Sequence, residues 1–243
     1  MPPSETKGMN AVIMIQATSG TEELKKKNYR LLSGRPLISY VIETAKKTGL
    51  PIYVYSDCEI ILEYAKRMEC IGYKSGENVG NENTANENLV LEFINNVESD
   101  YLIQISPSSP FITIEELNKF LSMMQQTDTL ISIKEELSSC IYKKSPINFY
   151  RSSDNSQSDE IEPLKIYTNS LMGWSCKKFK ENMKLFGSAY LGGGGRKSYF
   201  TLKGWSLIEI NNEIDFRAAE AIAQFLPFED LYKPFYFNKD TYS

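Results

Sequence analysis

The segment after the first apolar run carries the side chains best suited to bind a chain of phosphates. Residues 11–17, Ala-Val-Ile-Met-Ile-Gln-Ala, are almost all apolar, and residues 18–28, Thr-Ser-Gly-Thr-Glu-Glu-Leu-Lys-Lys-Lys-Asn, are mostly polar. A glycine-containing loop at the carboxyl end of a buried strand can turn backbone N–H groups and lysine ammonium groups toward phosphate oxygens. The segment therefore predicts a nucleotide triphosphate site, and an ordinary charged surface loop is the alternative. Its spacing matches neither G-x-x-x-x-G-K-[ST] nor G-x-G-x-x-G.

The composition limits which chemistry the chain can perform. There is no histidine, which excludes Ser-His-Asp and Cys-His nucleophilic catalysis, histidine metal sites and imidazole acid–base catalysis. Catalysis must then use carboxylates, Lys, Arg, hydroxyls, backbone N–H groups and a hard metal ion. The four cysteines are widely spaced and form no C-x-x-C pair, which indicates free thiols in a reducing compartment.

Length and charge indicate a globular protein that does not bind nucleic acid. The chain has 243 residues and a net charge of -4, with no long basic run. No run of about 18 apolar residues is present, so no membrane span is expected. Residues 1–10 are polar, lack the apolar core of a signal peptide, and are expected to be a flexible lead. We therefore expect a cytoplasmic location and one domain over residues 11–243.

Apolar periodicity predicts strict alternation of strands and helices through residue 133. Predicted strands at 11–17, 52–55, 70–73, 101–105 and 129–133 are separated by segments of helical periodicity. Capping boxes are predicted at residues 56–59 and 113–116, and Pro36 is placed in the first turn of the first helix. This alternation predicts a three-layer α/β/α fold with a mainly parallel sheet.

The carboxyl ends of parallel strands meet at one edge of a sheet, and that edge is where ligands bind. Four polar segments follow the predicted strands and should gather there: 18–28, 56–57, 74–86 and 106–110. Lys74 opens the third of these segments and is included among the candidate nucleotide-binding residues. We therefore expect the active site at this edge.

The second half of the sequence is less regular. Residues 135–165 are polar and predict an insertion, a flap or a dimerisation arm. Sheet character resumes at 166–174, a short helix is expected at 176–185, and a last strand at 206–210. The glycine-rich segment 191–197 could be a second phosphate site, a hinge or a hairpin tip. Residues 212–215 are expected to cap a final helix, and the aromatic tail, 226–243, to lie across the body.

Several motifs occur together and in order along the chain. They are the Lys-Asn that ends the first loop, Arg-x-Leu-x-Gly-Arg-Pro-Leu-Ile at 30–38, a strand ending in Ser-Asp, Ser-Pro-Ser-Ser-Pro at 106–110, Tyr-Thr-Asn at 167–169, and Glu-Ile-Asn-Asn-Glu-x-Asp-Phe at 209–216. Over residues 11–225 the chain resembles the acylneuraminate cytidylyltransferase family. The resemblance implies a Rossmann-like nucleotidyltransferase fold. It also implies transfer of CMP from CTP to the anomeric hydroxyl of a sialic-acid-like or related keto-sugar acid, with release of pyrophosphate, by a homodimer with a dimerisation arm near 135–165.

The same resemblance implies a set of site residues. Lys27 and Glu209 are the catalytic candidates, and Glu209 and Asn211 are the candidate ligands of Mg²⁺ or Mn²⁺. The candidate nucleotide-binding residues are Ala17, Thr18, Gly20, Thr21, Lys27, Asn28 and Lys74. The candidate substrate-binding residues are Ser106, Ser108 and Asn169.

The chain departs from the family pattern at several of these positions. Thr18 replaces an Arg, Glu22 a Lys and Ile112 an Arg, so the site loses positive charge. Glu209 and Asn211 stand where the family has Asp-x-Asp, and Ser106 stands where it has Gln. The candidates for compensating the lost charge are Lys25, Lys26, Arg30, Arg196 and Lys197.

Each candidate also has a purely structural interpretation. Lys25–Lys27 could be a solvated charged run, and Asn211 could be a helix N-cap. Asp57 could be a first-turn helix residue favoured by the helix dipole, and Ser106 and Ser108 could be turn formers. The alternative function is a catalytically impaired relative that serves as a nucleotide-binding or partner subunit. A further alternative is a nucleotidyltransferase for another nucleotide or acceptor.

Overall fold

The structure is a computed structural model, and it describes residues 8–18, 24, 26–74, 86–149 and 161–227. Its strands are β1 (Ala11–Gln16), β2 (Leu31–Leu32), β3 (Arg35–Pro36), β4 (Ile52–Ser56), β5 (Ile71–Lys74), β6 (Tyr101–Ile105), β7 (Thr129–Glu136), β8 (Ile141–Tyr142), β9 (Ser145–Pro146), β10 (Leu164–Ser175) and β11 (Lys197–Thr201). Its helices are α1 (Leu37–Lys46), α2 (Glu59–Arg67), α3 (Asn86–Asn96), α4 (Ile114–Met124), α5 (Cys176–Phe186) and α6 (Glu213–Phe225).

A seven-stranded sheet forms the centre of the molecule, in the order β11-β7-β10-β6-β1-β4-β5. Strand β1 lies between β4 and β6 and is parallel to both. Strand β10 is antiparallel to its neighbours β6 and β7, and β11 is parallel to β7. The sheet is therefore mainly parallel with one reversed strand, and the carboxyl ends of β1, β4, β5, β6, β7 and β11 lie at one edge.

Helices cover both faces of the sheet because successive β1 side chains are apolar on opposite sides. Ile13, Ile15 and Ala17 pack with α1, α2 and α4 on one face, whereas Val12 and Met14 pack with α3 and α5 on the other. A third cluster joins α6 to the loop after β1. In the described part of the chain, no helix is both long and apolar enough to cross a membrane.

These elements confirm the predicted three-layer α/β fold. The predicted strand at 101–105 agrees residue for residue with β6, and the capping box at Thr113 and Glu116 is present. The capping box predicted at 56–59 is wrong. Cys58 is the N-cap of α2 without a side-chain bond, because the Ser56 hydroxyl accepts the Cys58 backbone N–H instead. Pro36 is the N-cap of α1 rather than a first-turn residue, since it also closes the β2–β3 hairpin.

The last strand lies elsewhere than predicted. Residues 204–207 form a short 3-10 helix, and the last strand of the sheet is β11 at Lys197–Thr201, which pairs with β7. The two buried residues of 206–210 pack outside the sheet: Ile210 belongs to the α6 cluster, and the Ser206 hydroxyl donates to the Phe111 carbonyl. Apolar content alone could not separate a sheet strand from a segment packed against a helix.

The glycine-rich segment is neither a hairpin tip nor a part of the predicted ligand edge. It connects α5 to β11, and the Arg196 carbonyl accepts N–H groups from Asp128 and Thr129 at the start of β7. Because β7 runs parallel to β6, this start lies at the amino edge, opposite the edge where the loops after β1 and β6 lie. Gly193 packs against buried Asn182, since a Cβ there would lie 2.8 Å from the Asn182 Cγ. Gly193 therefore serves close packing, and Gly192 and Gly195 adopt positive φ values that favour glycine.

Within the predicted insertion, the described residues form the short β8–β9 hairpin and the start of β10. Residues 150–160 and the tail from 228 onward lie outside the described residues, as do residues 1–7 of the predicted flexible lead.

Candidate active site

Lys27 lies at the centre of a cluster formed by three distant parts of the chain. Its ammonium nitrogen donates to the Ser108 hydroxyl at 2.8 Å and to the Ile210 carbonyl at 3.0 Å. The Ile210 N–H in turn donates to the Ser108 carbonyl at 2.8 Å. The loop after β1, the loop after β6 and the segment before α6 therefore meet at one point on the carboxyl edge of the sheet.

The backbone around Lys27 explains how its side chain is held there. Residues Lys27–Tyr29 form a 3-10 turn that follows Lys26, which has a left-handed backbone with φ 62°. Asn28 is buried, and its amide donates to the Thr18 carbonyl at 2.8 Å, which closes the loop on itself. The predicted loop residues Thr18, Lys27 and Asn28 are thus brought together.

Arg30 provides a second connection between this loop and α6. Its guanidinium forms a two-pronged ion pair with the Glu213 carboxylate and lies 3.9 Å from the ring centre of Phe216. The hydrogen bond from Arg30 holds the pKa of Glu213 at about 2, well below its usual range. Arg30 is therefore engaged in the fold, and its predicted role as a compensating phosphate ligand is not supported by this geometry.

Glu209 and Asp215 give the cluster around Lys27 a negative side. Burial lowers the pKa of Lys27, and the charges of Glu209 and Asp215 act in the opposite direction. Burial likewise raises the pKa of Glu209, while the positive charge of Lys27 lowers it. The two groups therefore stabilise each other's charge in a partly dry site, where electrostatic interactions are stronger than in water.

The predicted metal ligands differ in how they are presented. Glu209 is half-buried beside Lys27, whereas Asn211 is exposed and its N–H donates to Asp215. Asn211 is not the N-cap of α6, because Asn212 accepts the N–H groups of residues 214 and 215. Among the described residues no group of three acidic or thiol side chains is placed to hold a metal ion. Magnesium binds through one or two carboxylates and nucleotide phosphates, so this donor set fits an ion that arrives with a nucleotide.

The predicted substrate residues fall in two places. Ser108 is 9% exposed and bonded to Lys27, so its hydroxyl positions that lysine. The Ser106 hydroxyl accepts the Ser108 N–H at 3.3 Å and supports the same turn. Asn169 is exposed and lies in the stretch between Tyr167 and Met172 where the β10 register shifts. Ser106 is therefore a turn former, as its structural interpretation predicts, and the turn that it supports is part of the site.

Other predicted residues lie apart from Lys27 or outside the described chain. The Lys74 ammonium pairs with Glu59 at 2.5 Å on the edge strand β5, two strands from β1. The Ala17 side chain is fully buried in the core, and its backbone N–H donates to the Tyr55 carbonyl at 2.9 Å. Gly20 and Thr21 lie outside the described residues, as do the replaced position Glu22 and the possible compensating Lys25.

Two further expectations about charge can be placed in the structure. Ile112 is 3% exposed and packs in the core between α1 and α4, so its side chain does not face the Lys27 cluster. Arg196 and Lys197 lie at the opposite edge of the sheet, as β11 pairs with the start of β7. Neither of these two cations compensates for charge lost beside Lys27. An open cavity of about 990 Å³ between α1, α4 and Trp205 is lined by Ile112 but does not contain Lys27 or Glu209.

Sequence reasoning missed two contributions to the site. The Ile210 carbonyl carries no side-chain signal and could be found only from the fold. Asp215 was expected only as a cap. Its carboxylate does accept the N–H groups of residues 211 and 212, but its charge also acts on Lys27 and Glu209. The spacing of three residues from Asn212 indicated the capping box, and nothing local indicated the approach of Lys27.

Comparisons with known proteins agree with this architecture. The structure superposes on CMP:2-keto-3-deoxy-manno-octonic acid synthetase complexed with CTP with a TM-score of 0.67 and 16% identity, over 88% of this chain and 98% of that chain. It superposes on 4-diphosphocytidyl-2C-methyl-D-erythritol synthase from Anaerococcus prevotii with a TM-score of 0.64 and 14% identity, over 89% of this chain and 99% of that one. At these identities the similarity shows a shared fold.

The family comparison is carried by the sequence itself. The model of the family described as cytidylyltransferase matches residues 12–166, which is more than half of the chain. This stretch includes β1, the loop with Lys27, and the turn with Ser108 that holds Lys27. The match confirms the resemblance inferred from the motifs and the expectation of a nucleotidyltransferase. The chain belongs to the cytidylyltransferase family.

Proposed function

We propose that the protein transfers CMP from CTP to the anomeric hydroxyl of a sialic-acid-like or related keto-sugar acid. The observation that carries the proposal is the convergence of Lys27, Ser108 and the Glu209–Asn211 segment at the carboxyl edge of β1. These are three of the motifs on which the resemblance to acylneuraminate cytidylyltransferases rests. The sugar-acid acceptor is supported by those motifs alone.

The reaction joins the anomeric oxygen to the α-phosphorus of CTP, breaks the bond from that phosphorus to pyrophosphate, and releases the hydroxyl proton. Catalysis of phosphoryl transfer consists mostly of positioning and charge neutralisation. Lys27 lies at the carboxyl edge, and hydrogen bonds to the Ser108 hydroxyl and the Ile210 carbonyl hold its ammonium group there. In the proposed reaction it neutralises the negative charge that develops on the departing pyrophosphate.

Magnesium or manganese is proposed to enter with the triphosphate. Glu209, with Asn211 beside it, would hold the ion, and a bound divalent cation would neutralise phosphate charge. The half-buried carboxylate of Glu209 has a raised pKa, so a nearby cation stabilises its charged form.

The test is pyrophosphate release by the purified full chain with each nucleoside triphosphate, magnesium or manganese, and a panel of keto-sugar acids. We expect release with CTP and at least one keto-sugar acid. Calorimetric CTP binding without release with any acceptor would favour the impaired, nucleotide-binding alternative. Release with another nucleotide, or only with an acceptor that is not a keto-sugar acid, would overturn the proposed substrates.

We also propose that the protein is a homodimer. The arm around β8 and β9 carries four exposed large apolar side chains: Leu137, Ile141, Tyr142 and Ile147. Exposed apolar patches of this kind mark protein–protein contact sites. Tyr167 on β10 and Tyr199 on β11 are also exposed, and their rings contact each other. A second copy of the chain is the proposed occupant. Sedimentation equilibrium should give twice the chain mass, and Ile141→Lys with Tyr142→Lys should give the monomer mass. A monomeric wild-type protein would refute it.

A further inference from the structure

A directed series of hydrogen bonds ends at the side chain of Gln16, the last residue of β1. The Gln104 amide nitrogen donates to the Gln16 side-chain oxygen at 3.2 Å, and the Tyr190 hydroxyl donates to the Gln104 side-chain oxygen at 3.5 Å. In this arrangement the Gln16 oxygen keeps one free lone pair, and its NH₂ group keeps both hydrogens. No described residue bonds to that NH₂ group.

The origin of the series is held firmly in the fold. The Tyr190 carbonyl accepts the Trp174 indole N–H at 2.9 Å, and the two rings lie 5.2 Å apart. The Tyr190 N–H donates to the Glu87 carboxylate at the start of α3. Burial raises the pKa of Tyr190 to about 12, so the hydroxyl keeps its proton at neutral pH. With the Tyr190 hydroxyl as donor, the Gln104 amide presents its NH₂ group to the Gln16 side-chain oxygen.

Gln16 lies next to the loop that is proposed to bind the nucleotide. It directly precedes Ala17 and the loop that carries Lys27. Its side chain lies on the α3 and α5 side of the sheet, since it follows Val12 and Met14 at two-residue spacing. It is half-exposed, whereas Gln104 is 8% exposed. The donor at the end of the series therefore lies at the carboxyl end of β1, with part of the Gln16 side chain accessible to solvent.

The surroundings of Gln16 suit an uncharged ligand group. The hydrogen-bonding partners behind it are an amide and a phenol. The ionic groups that face this cluster from α3 are the carboxylates Glu87 and Glu92, the latter bonded to the Tyr55 hydroxyl. Carboxylates would repel a phosphate or the carboxylate of a sugar acid. The uncharged parts of a nucleotide are the ribose and the nucleobase, and of these the nucleobase carries a donor and an acceptor side by side on one planar edge, as an amide does.

We propose that Gln16 recognises the cytosine base, and that Gln104 and Tyr190 set the orientation of its amide so that cytosine is preferred to uracil. Cytosine presents a ring-nitrogen acceptor next to an amino donor, and this edge matches the NH₂ group and the remaining oxygen lone pair of Gln16. Uracil presents a ring N–H donor next to a carbonyl acceptor, which requires the reversed amide. The series opposes that reversal, because the Gln104 amide and the Tyr190 hydroxyl would have to reverse together with Gln16. This inference rests on the proposed use of CTP.

The test measures binding of CTP and UTP to the full chain by calorimetry, without acceptor, for the wild type and three variants. Gln16→Met, which is similar in size and lacks both polar atoms, should bind CTP about 5- to 150-fold more weakly. Gln16→Glu keeps the oxygen and loses the donor, so it should lose a similar factor for CTP. The matched control Gln126→Met, at the end of α4 on the amino edge, should bind as the wild type does.

Tyr190→Phe tests the positioning role without touching the base. This variant should lower the ratio of CTP affinity to UTP affinity by a larger factor than it lowers the CTP affinity itself, because the UTP affinity should rise once the amide of Gln104 can reverse. An unchanged ratio in both Gln16→Met and Tyr190→Phe, with normal CTP binding, would overturn this inference and leave the proposed function intact. If Gln16→Met raised the KM for the acceptor and left CTP affinity unchanged, Gln16 would contact the acceptor instead of the base, and this inference would be overturned. A wild-type protein that binds no CTP would refute the proposed function itself, and this inference with it.

Discussion

The ammonium group of Lys27 has two hydrogen-bond acceptors, the Ser108 hydroxyl and the Ile210 carbonyl, and neither carries a full charge. A triphosphate is therefore a stronger partner for Lys27 than either of them. Burial disfavours the charged form of Lys27, and the charges of Glu209 and Asp215 offset only part of that effect. A bound phosphate group would supply the negative charge that is still missing.

Lys27→Met should lower kcat/KM for CTP about 10- to 150-fold, since a hydrogen bond to a charged group is worth about 1.5–3 kcal/mol. The side chain keeps its length, so the cluster loses charge without leaving a large void. Steady-state kinetics of pyrophosphate release provide the measurement. Lys66→Met on α2 carries the same substitution at an exposed, remote position and should behave as the wild type. Equal losses in both variants would contradict the assignment of Lys27.

The pH range in which the enzyme is active should be narrower than a carboxylate and a lysine with ordinary pKa values would give. The pKa of Glu209 is raised above 4.5, so its carboxylate protonates at a higher pH as the solution is acidified. The pKa of Lys27 is lowered below 10.5, so its charge is lost at a lower pH as the solution is made alkaline. A profile of kcat/KM against pH should fall on both sides. The acid limb should vanish in Glu209→Gln; its persistence there would assign that limb to another group.

At the scale of the elements, α6 brings Glu209 and Ile210 to Lys27. The helix begins at a capping box in which Asn212 accepts the N–H groups of Ile214 and Asp215, and Asp215 accepts that of Asn212. Phe216 and Ala219 anchor its buried face to the loop after β1. A fixed start of α6 therefore fixes the site.

Asn212→Ala should reduce the free energy of unfolding by about 0.5–2 kcal/mol through loss of the cap. Asn211→Ala, one residue earlier and outside the cap, should leave that free energy within about 0.5 kcal/mol of the wild type. Urea denaturation followed by circular dichroism measures both variants. The reverse order of effects would show that Asn211 caps the helix.

Strand β10 depends on a glycine at its closest approach to α4. A Cβ on Gly173 would lie 2.7 Å from the Met124 sulfur and 3.0 Å from the Phe120 ring. Gly173→Ala should therefore overpack the core and cost about 1–3 kcal/mol of unfolding free energy. Gly72→Ala on β5 is the matched control, since its Cβ would meet Leu62 at an ordinary 3.4 Å. Similar stability of the two variants would refute the tight contact.

At the scale of the whole molecule, strand direction determines which loops can share a ligand. The loops after β1 and β6 lie at one edge, and the glycine-rich connection before β11 lies at the other. Composition alone made both the first loop and the glycine-rich segment candidates for phosphate binding. Topology places the two at opposite edges of the sheet, so they cannot bind the same phosphate chain.

The double variant Arg196→Gln with Lys197→Gln should therefore leave CTP affinity unchanged, despite the loss of two positive charges. Calorimetry at two salt concentrations measures it, because long-range attraction is screened at high salt. A large loss of affinity at both salt concentrations would place these residues at the nucleotide and contradict the topology.

The sequence by itself determined the alternation of strands and helices, and its motifs indicated the family. Buried parallel strands have a continuous apolar pattern, and strand β6 and the cap at Thr113 follow from local residue types. Such signals depend only on neighbours along the chain, so they can be read without the fold. The same holds for the Lys-Asn that ends the first loop.

Only the tertiary structure decided which polar residues meet. Lys27 and Ile210 are 183 positions apart, and the carbonyl that Lys27 binds has no side chain to reveal it. The replacement of the predicted strand at 206–210 by β11 also depended on long-range packing, because an apolar run suits a helix-packed segment as well as a strand. The pairing of Gln16 with Gln104 required two parallel strands to lie side by side. Contacts between distant segments arise from sheet order and strand direction, and neither is encoded at any single position.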